Sequence, residues 1–397
     1  MEHLFALVAF VTLVYCLFSA KLGQFAITMP MFFLVFGCAL AFSGAVFEGE
    51  DATVFHSLAE ITLALLLFAD ATGLHGDTVR KIQARTARML LIGLPLAIVF
   101  GALINLAILP DLPLWSAFLL AALLAPTDAA LGQSIQTNER IPQALRDAMN
   151  AESGLNDGLA LPFVIFFAGL AASHSEGGES SRLMVLVASQ VGIGAAVGFV
   201  LGALAGKTRN YIMANQLMDH GLTKVSALLV VAFVYFAAEH AGGNSFVAVF
   251  VAGVAYTNFS NSPVTHARNF LEGDGQLFAM ISFLFIGMAF VPDAIKSLTA
   301  GGLLVIALSL LVVRPLAIYL SLLTTKTTKN ERFFYGWFGP RGLATALFAV
   351  FVTQDFDNIP GIDTILAIAF TTVFVSAMVH GVTAKFATQL FKLDRMD

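Results

Sequence analysis

Glu152-Ser153-Gly154-Leu155-Asn156-Asp157-Gly158 opens an apolar run that continues from Leu159 to Ala172. Two carboxylates and one amide therefore fall in the first turns of a predicted membrane-spanning helix. An ionisable side chain at the centre of a bilayer costs about 2.5–3.5 kcal/mol or more. Such groups are kept where they bind or move ions, so this stretch predicts a functional site inside a membrane.

Two further polar breaks interrupt apolar runs. Ala125-Pro126-Thr127-Asp128 interrupts the preceding run, and Gly339-Pro340-Arg341-Gly342 interrupts a run near the C-terminus. Proline removes a backbone donor and breaks a helix. Unwound backbone at membrane depth is tolerated only where protein buries it or where it lines a cavity. We expect the three stretches to form one cation site; the alternative is that the two prolines only kink two helices.

The composition is that of an integral membrane protein. Of the 397 residues, 58% are hydrophobic and 12% are charged, whereas soluble domains are about 25% charged. Cys16 and Cys38 fall in apolar runs, so we expect free thiols with no part in a disulfide or metal site. The sequence has no nucleotide-binding motif, and we expect neither direct use of ATP nor a cofactor.

The apolar runs predict an all-α polytopic membrane protein. A spanning helix needs about 20 mostly apolar residues, and on this measure the chain has thirteen spans. We expect a single membrane transporter domain over residues 1–397, with no soluble regulatory domain. The predicted spans lie near residues 3–20, 24–43, 54–74, 87–109, 113–134, 150–172, 183–206, 222–240, 243–259, 275–292, 299–325, 333–353 and 362–388.

Loop charges predict the orientation of these spans, because cytoplasmic loops carry an excess of Lys and Arg. With the N-terminus outside and the C-terminus cytoplasmic, 17 of the 21 basic residues fall on the cytoplasmic side, and only Arg182 and Lys296 fall outside. The cytoplasmic set is Lys21, Arg80, Lys81, Arg85, Arg88, Arg140, Arg146, Lys207, Arg209, Lys224, Arg268, Lys326, Lys329, Arg332, Lys385, Lys392 and Arg395. The outer loops hold acids: Glu48, Glu50, Asp51, Glu176, Glu179, Asp355, Asp357 and Asp363.

The two proline breaks indicate internal symmetry. The fifth span is broken at Pro126 and the twelfth at Pro340, and an offset of seven spans gives them opposite directions. This predicts two inverted six-helix repeats, about 1–172 and 222–388, joined by a linker helix at about 183–206. Paired interrupted spans at corresponding places point to a transporter site near the middle of the membrane.

The polar residues of the fifth and sixth spans predict a site for a hard cation. Asp128 and Asp157 each lie about six or seven residues from the same membrane face, which at ~1.5 Å per residue is a depth of ~10 Å. Ser153 and Asp157 are four apart and share a helix face. Carboxylate and hydroxyl oxygens, with the Thr127 carbonyl, suit Na⁺ or Li⁺, and the lack of thiolate or histidine clusters disfavours a transition metal.

Two arginines, Arg314 and Arg341, lie inside predicted spans. Arginine does not lose its proton in proteins, so each needs an acidic or carbonyl partner within the helix bundle. The intramembrane acids available are Glu60, Asp70, Asp128, Glu152 and Asp157. We expect Asp70 to cap or pair near the cytoplasmic basic loop, and His380 to be a packed neutral histidine.

Pro126-Thr127-Asp128 followed by Glu152-Ser153-Gly154-Leu155-Asn156-Asp157 resembles the monovalent cation:proton antiporter-1 family, of the NhaP and NHE type. Phe68-Ala69-Asp70-Ala71 is similar to the third-span signature of that family. The resemblance covers the whole chain, and it implies crossed, interrupted helices 5 and 12 in an antiporter fold. It also implies a homodimer in the cell membrane and a part in pH homeostasis, with no nucleic-acid partner.

The resemblance also implies a role for each site residue. Asp157 would carry the cation or the proton, and Asp128 would help to bind the cation. The other implied roles are the Thr127 carbonyl and Ser153 hydroxyl as Na⁺ ligands, Asn156 as the orienting residue, Glu152 paired with Arg314, and Arg341 in the second crossing helix. Asn156 stands where an electrogenic relative has a second aspartate, so the implied exchange is electroneutral and 1:1.

Several functions remain open at this point. The leading hypothesis is a Na⁺(Li⁺)/H⁺ antiporter, in which cation and proton compete for Asp157 and access to the site alternates. A K⁺/H⁺ antiporter or an organic-anion transporter would use the same fold, and a channel would also need polar groups in the membrane. An intramembrane aspartyl protease could use Asp128 and Asp157, but the Gly-x-Gly-Asp signature of that class is absent.

Overall fold

The regular elements of the described residues are helices that follow the predicted spans. The computed structural model describes residues 2–44, 50–74, 84–128, 131–132, 135, 138–174, 180–219, 222–261 and 275–391. Helices are numbered here by span, and two spans have a and b segments. The first six are α1 Glu2–Gln24, α2 Met29–Phe42, α3 Glu50–Thr72, α4 Ala84–Ile108, α5 Leu114–Leu123 and α6 Gln143–His174.

The second half of the chain contains the other spans. They are α7 Ser180–Ala214, α8 Leu222–His240, α9 Ser245–Asn258, α10a Gly275–Ala289, α10b Val291–Ser297, α11 Ala300–Ser321, α12a Lys329–Trp337, α12b Leu343–Asp355, α13 Ile362–Ala384 and the short α14 Ala387–Phe391. Among the described residues, seven helices are long and apolar enough to cross a membrane, and shorter apolar helices accompany them. The predicted all-α polytopic fold is confirmed.

The helices pack into two groups that meet at the polar stretches. In one group α4 packs on α5, α5 on α6, and α11 on both α4 and α12a. In the other group α7 packs on α9, α2 on α10a, and α3 on α9. Contacts of α3 with α6 and α12b join the two groups. The polar stretch of α6 and the break in span 12 therefore lie where the groups face each other.

Spans 4 and 11 contain the same kind of helix irregularity. In α4 a π-helical turn, Met89–Gly93, directly precedes Leu94-Pro95. In α11 a π-helical turn, Ser309–Val313, directly precedes Arg314-Pro315. These π turns, each placed directly before an X-Pro step, pack close together, because α11 beyond its turn contacts the turn in α4. π-bulges in α-helices occur frequently at functional sites.

Glycines allow the second group of helices to approach backbone to backbone. A Cβ on Gly37 of α2 would lie 2.1 Å from the Leu284 carbonyl oxygen of α10a. A Cβ on Gly198 of α7 would lie 2.1 Å from the Ala248 carbonyl oxygen of α9. Without a solvent-driven hydrophobic effect, membrane helices associate through such close packing. The second group of helices is therefore tightly packed, and it contacts the polar stretches of the first group through α3.

Part of the sequence prediction lies outside the described residues, including Arg80, Lys81, Arg268, Lys392, Arg395, Glu48, Glu176, Glu179 and, in the second half of span 5, residues 129–130 and 133–134. Two helices are longer than their predicted spans: α6 begins at Gln143 rather than near 150, and α7 runs over Ser180–Ala214 rather than about 183–206. Cys16 and Cys38 are free thiols.

Candidate functional site

Spans 5 and 12 are both interrupted, and their unwound segments cross. Helix α5 ends at Leu123 and α12a ends at Trp337, and each is followed by residues without helical structure. The backbone N–H of Asp128 donates to the carbonyl of Pro340 at 2.8 Å. Each break therefore supplies hydrogen bonds that the other needs, as buried irregular backbone in a membrane requires.

The Asp128 carboxylate accepts hydrogen bonds from both interrupted spans. Its Oδ1 accepts the backbone N–H of Leu131 at 3.1 Å, and its Oδ2 accepts the backbone N–H of Leu343. Leu343 is the first residue of α12b, so the carboxylate satisfies a free donor at a helix N-terminus, where negative charge is favoured. Gly342 leaves the space, since a Cβ there would lie 2.0 Å from Asp128 Oδ2.

Hydrogen bonds from the Arg341 guanidinium group connect the two unwound segments. Its Nε donates to the carbonyl of Leu124 and its Nη1 to the carbonyl of Gly339, while its backbone N–H donates to Ser376 Oγ at 2.7 Å. The side chain is buried. Carbonyl partners, rather than an acid, thus satisfy this intramembrane arginine.

His380 of α13 braces the end of α12a. Its Nε2 lies 2.9 Å from the carbonyl oxygen of Trp337, which can only accept, so Nε2 must carry a proton. Nδ1 lies 3.0 Å from Ser376 Oγ, and this hydroxyl also accepts the backbone N–H of Arg341. Nδ1 also lies 3.0 Å from the Ser376 carbonyl oxygen. In a neutral ring with its proton on Nε2, Nδ1 accepts from the Ser376 hydroxyl, and the carbonyl contact is not a hydrogen bond. This arrangement suits the packed neutral histidine expected from the sequence.

Glu152 and Arg314 form a buried ion pair. Arg314 Nη2 donates to Glu152 Oε2 at 2.9 Å, and both side chains are at most 4% exposed. Asn156 Nδ2 donates to Glu152 Oε1 at 3.1 Å. The guanidinium packs against the break in span 12, where a Cβ on Gly339 would lie 1.5 Å from Arg314 Nε. The pair therefore joins α6, α11 and the span 12 break.

The Thr127 hydroxyl connects the span 5 break to the polar turn of α6. Thr127 Oγ1 lies 3.4 Å from both Glu152 Oε2 and Ser153 Oγ, and it accepts from Asn156 Nδ2 at 3.3 Å. These four side chains are buried. The structure thus gathers hydroxyl, amide and carboxylate groups from α6 around the first interrupted span.

Asp157 is the carboxylate in this region with an uncommitted buried oxygen. Its Oδ1 is buried and has no hydrogen-bond partner among the described residues. The carboxylates of Asp70, Asp128 and Glu152 lie near enough to interact with it electrostatically. Since three further acids lie near it, a negative charge on Asp157 is costly unless a cation lies beside it, and protonation removes that charge.

Asp70 is an acid that sequence reasoning did not include in the site. Its Oδ1 lies 3.4 Å from the position that a Cβ on Gly154 would occupy, so it faces the polar turn of α6. A cap or pair with the basic loop, most of which lies outside the described residues, stays a prediction. Its place in Phe68-Ala69-Asp70-Ala71 was the sequence signal, and only the packing of α3 on α6 shows which side of α3 meets the site.

The arrangement favours a cation held by a few oxygens of different kinds. Within the described ranges no three His, Cys, Asp or Glu side chains converge as a metal cluster. The available groups are the Asp157 carboxylate, the Ser153 and Thr127 hydroxyls and the unwound backbone near Asp128. Hard monovalent cations are suited by such oxygen ligands.

The chain is similar to known membrane proteins in both sequence and fold. The model of the family described as "Sodium/hydrogen exchanger, transmembrane" matches residues 6–390. The chain is 25% identical to the K(+)/H(+) antiporter NhaP2 of Shewanella oneidensis over 399 residues, which cover 98% of this chain and 67% of that protein. It is 27% identical to the Na(+)/H(+) antiporter NhaH of Halobacillus dabanensis over 353 residues, 85% of each chain.

Other curated relatives are longer than this chain. The K(+)/H(+) antiporter NhaP2 of Shewanella sp. strain ANA-3 is 26% identical over 285 residues, 72% of this chain and 49% of that protein, so the match spans about half of its length. Among solved structures, the sodium proton antiporter MjNhaP1 from Methanocaldococcus jannaschii at pH 8 has a TM-score of 0.78 at 20% identity. The alignment covers 100% of both chains. That likeness establishes a shared fold.

Proposed function

The chain belongs to the sodium/hydrogen exchanger family, and from this membership we propose that it exchanges a monovalent cation for a proton across the membrane. The observation that carries the proposal is the buried Oδ1 of Asp157, which has no hydrogen-bond partner among the described residues. Asp128 and Glu152 differ, because each of their oxygens accepts at least one hydrogen bond. Asp157 therefore has an oxygen left for cargo, whereas Asp128 would add a ligand only through the second lone pair of an oxygen that already accepts a hydrogen bond.

Exchange follows from two competitors for one carboxylate. A proton or a cation neutralises Asp157, and the occupied site can then move or be re-exposed across the membrane. The empty, ionised site is costly to move through a region of low dielectric constant. Movement of the empty site, which would uncouple the two fluxes, is thereby suppressed. As a member of a transporter family, the protein is a carrier and not an enzyme.

Na⁺ or Li⁺ is the proposed cargo, with the Thr127 carbonyl, Ser153 hydroxyl, Asp128 and Asp157 as ligands. Support for this set comes from the 3.4 Å separation of the Thr127 and Ser153 hydroxyl oxygens and from the nearness of Asp128 to Asp157, whose mutual repulsion a bound cation would relieve. K⁺ is the second candidate, since several relatives are named as K(+)/H(+) antiporters. An organic anion is disfavoured, because the Arg341 guanidinium already donates to two backbone carbonyls.

A 1:1 stoichiometry and a two-repeat organisation are further parts of the proposed function. Asn156 donates to Glu152 and Thr127 and carries no charge, which supports a single titrating carboxylate and 1:1 electroneutral exchange. We propose inverted repeats over about 1–172 and 222–388 with α7 as the linker, a homodimer, and an outside N-terminus with a cytoplasmic C-terminus. Such a carrier would serve pH homeostasis in the cell membrane.

The test is transport by the purified chain in sealed vesicles with an imposed pH gradient. Addition of Na⁺, Li⁺ or K⁺ should dissipate the gradient in the wild type, and the order of response gives the selectivity. Asp157→Asn should abolish the response while the protein stays folded. Asp147→Asn is the matched control, because Asp147 is exposed on the same helix. Exchange by Asp157→Asn at the wild-type rate would overturn the proposal, and a response to K⁺ alone would replace Na⁺ by K⁺.

A further inference from the structure

An elongated groove opens between α7, α8 and α9, in the group of helices outside the two interrupted spans. Its volume is about 280 Å³. Residues from all three helices and from the α7–α8 connection line it. Its two ends differ: one is polar, with Arg209, Thr223 and Ser226, and the other is apolar, with Leu201, Val230 and Phe233.

The polar end holds groups suited to an anion. The Arg209 side chain lines the groove although it is only 8% exposed. Thr223 is 7% exposed, and its Oγ1 is buried with no hydrogen-bond partner among the described residues. A buried hydroxyl without a partner is costly, so a ligand that accepts from it would be favoured. Thr223 also lies in the first turn of the 19-residue helix α8, where backbone N–H groups favour negative charge.

The apolar end faces the lipid. Phe233 and Leu204 line the groove and are 64% and 59% exposed. From Thr223 to Val234 the groove follows about eleven residues of α8, which is ~16 Å along the helix axis. The groove therefore begins at the end of a spanning helix, at headgroup depth, and continues into the hydrocarbon region.

The groove lies on the basic side of the membrane. At this end of α9, Asn258 Nδ2 donates to the carbonyl of Leu74, directly after α3. The end of α3 precedes the basic start of α4, with Arg85 and Arg88. Lys207, exposed two residues before Arg209 on α7, adds positive charge at the same level.

We propose that this groove binds an anionic phospholipid from the leaflet on the basic side. The phosphate would lie against the Arg209 guanidinium and accept from Thr223 Oγ1, and one acyl chain would lie along Val230, Phe233 and Leu204. The charge of the polar end selects an anionic headgroup, and the exposed apolar end requires a chain. Basic pockets between spanning helices bind anionic lipid headgroups in this way.

The test uses the purified chain in detergent. The thermal midpoint is measured with phosphatidylglycerol, phosphatidylcholine or inorganic phosphate, and native mass spectrometry counts retained lipids. Phosphatidylglycerol should raise the midpoint more than either other addition and should remain bound to the wild type. Arg209→Gln should lose at least tenfold in affinity for phosphatidylglycerol, whereas Lys207→Gln, which removes the same charge outside the groove, should change it less than threefold.

Two further variants keep the proposal testable if Arg209→Gln does not fold. Thr223→Val removes the buried hydroxyl at constant shape, and Val230→Phe fills the apolar end without a change in charge; each should reduce retention of phosphatidylglycerol at least threefold. Equal losses in Arg209→Gln and Lys207→Gln would show diffuse surface charge and overturn the site. Equal stabilisation by inorganic phosphate or by phosphatidylcholine would also overturn it, as would unchanged lipid retention in both Thr223→Val and Val230→Phe.

Discussion

Leu343 donates its backbone N–H to Asp128 Oδ2, across 215 positions of sequence. The acid of one interrupted span thus caps the helix that follows the break in the other. Asp128 N–H in turn donates to the carbonyl of Pro340. Because each span completes the hydrogen bonds of the other, the crossing behaves as one structural unit, and a change in either break should disturb both.

Gly342→Ala tests this unit. The new Cβ would lie 2.0 Å from Asp128 Oδ2, so the carboxylate must leave its position. Overpacking of this kind costs about 1–3 kcal/mol, and the thermal midpoint and transport rate should both fall. Gly192→Ala on α7 is the control, since a Cβ there meets nothing within 4 Å. Unchanged transport and melting of Gly342→Ala would contradict the proposed role of the crossing.

Breaking the Glu152–Arg314 pair tests whether Glu152 is a structural partner or a cation ligand. Removal of one partner leaves a buried charge alone and costs about 3–5 kcal/mol. Glu152→Gln should therefore lower the thermal midpoint more than it changes the apparent cation affinity. Replacement of both partners, as Glu152→Gln with Arg314→Met, should restore part of the lost stability. A large loss of cation affinity with normal stability would instead make Glu152 a direct ligand.

His380 offers a test of position against pH sensing. His380→Phe leaves the Trp337 carbonyl and the Ser376 hydroxyl without this partner, at a cost of about 1–3 kcal/mol for a buried unsatisfied group. Both stability and maximal transport rate should fall. His380→Gln keeps one donor and one acceptor and should recover part of both. The pH profile of the active variants should match that of the wild type, and a shifted profile would identify His380 as a titrating sensor.

The parts of the site that depend on local chemistry could be predicted from the sequence. Pro126 and Pro340 indicated the breaks because proline cannot continue a helix. Glu152, Asn156 and Asp157 indicated the site because polar groups are costly in a membrane. Burial also required partners for Arg314, although the choice of Glu152 came from family resemblance.

Other features depend on packing that sequence patterns do not encode. The bond between Asp128 and Leu343 joins residues 215 positions apart, and the contact between Asp70 and α6 depends on the rotation of α3. Helix α6 begins at Gln143, ahead of the predicted span. The added turns include charged residues, since a helix that continues beyond the bilayer needs no apolar composition. The prediction near 150 followed composition alone.

Competition between the two cargoes at one carboxylate makes the cation affinity depend on pH. If a cation and a proton compete for Asp157, the apparent cation affinity must weaken as pH falls. The slope should be about tenfold per pH unit well below the pH at which half of the carboxyl is ionised, since the ligand must lose its proton to bind. Concentration series of Na⁺ and Li⁺ at several pH values, in sealed vesicles, give this slope.

The same competition fixes the electrical signature of the cycle. One carboxylate that carries either one cation or one proton moves the same charge in each direction, so steady exchange should produce no net current on a solid-supported membrane. The neutral Asn156 beside Glu152 and Thr127 is the structural reason for a single titrating group. Sustained cation-driven current in tightly sealed vesicles would require a second proton carrier, with Asp70 and Asp128 as the nearest candidates. A cation affinity independent of pH would remove competition at Asp157 as the mechanism altogether.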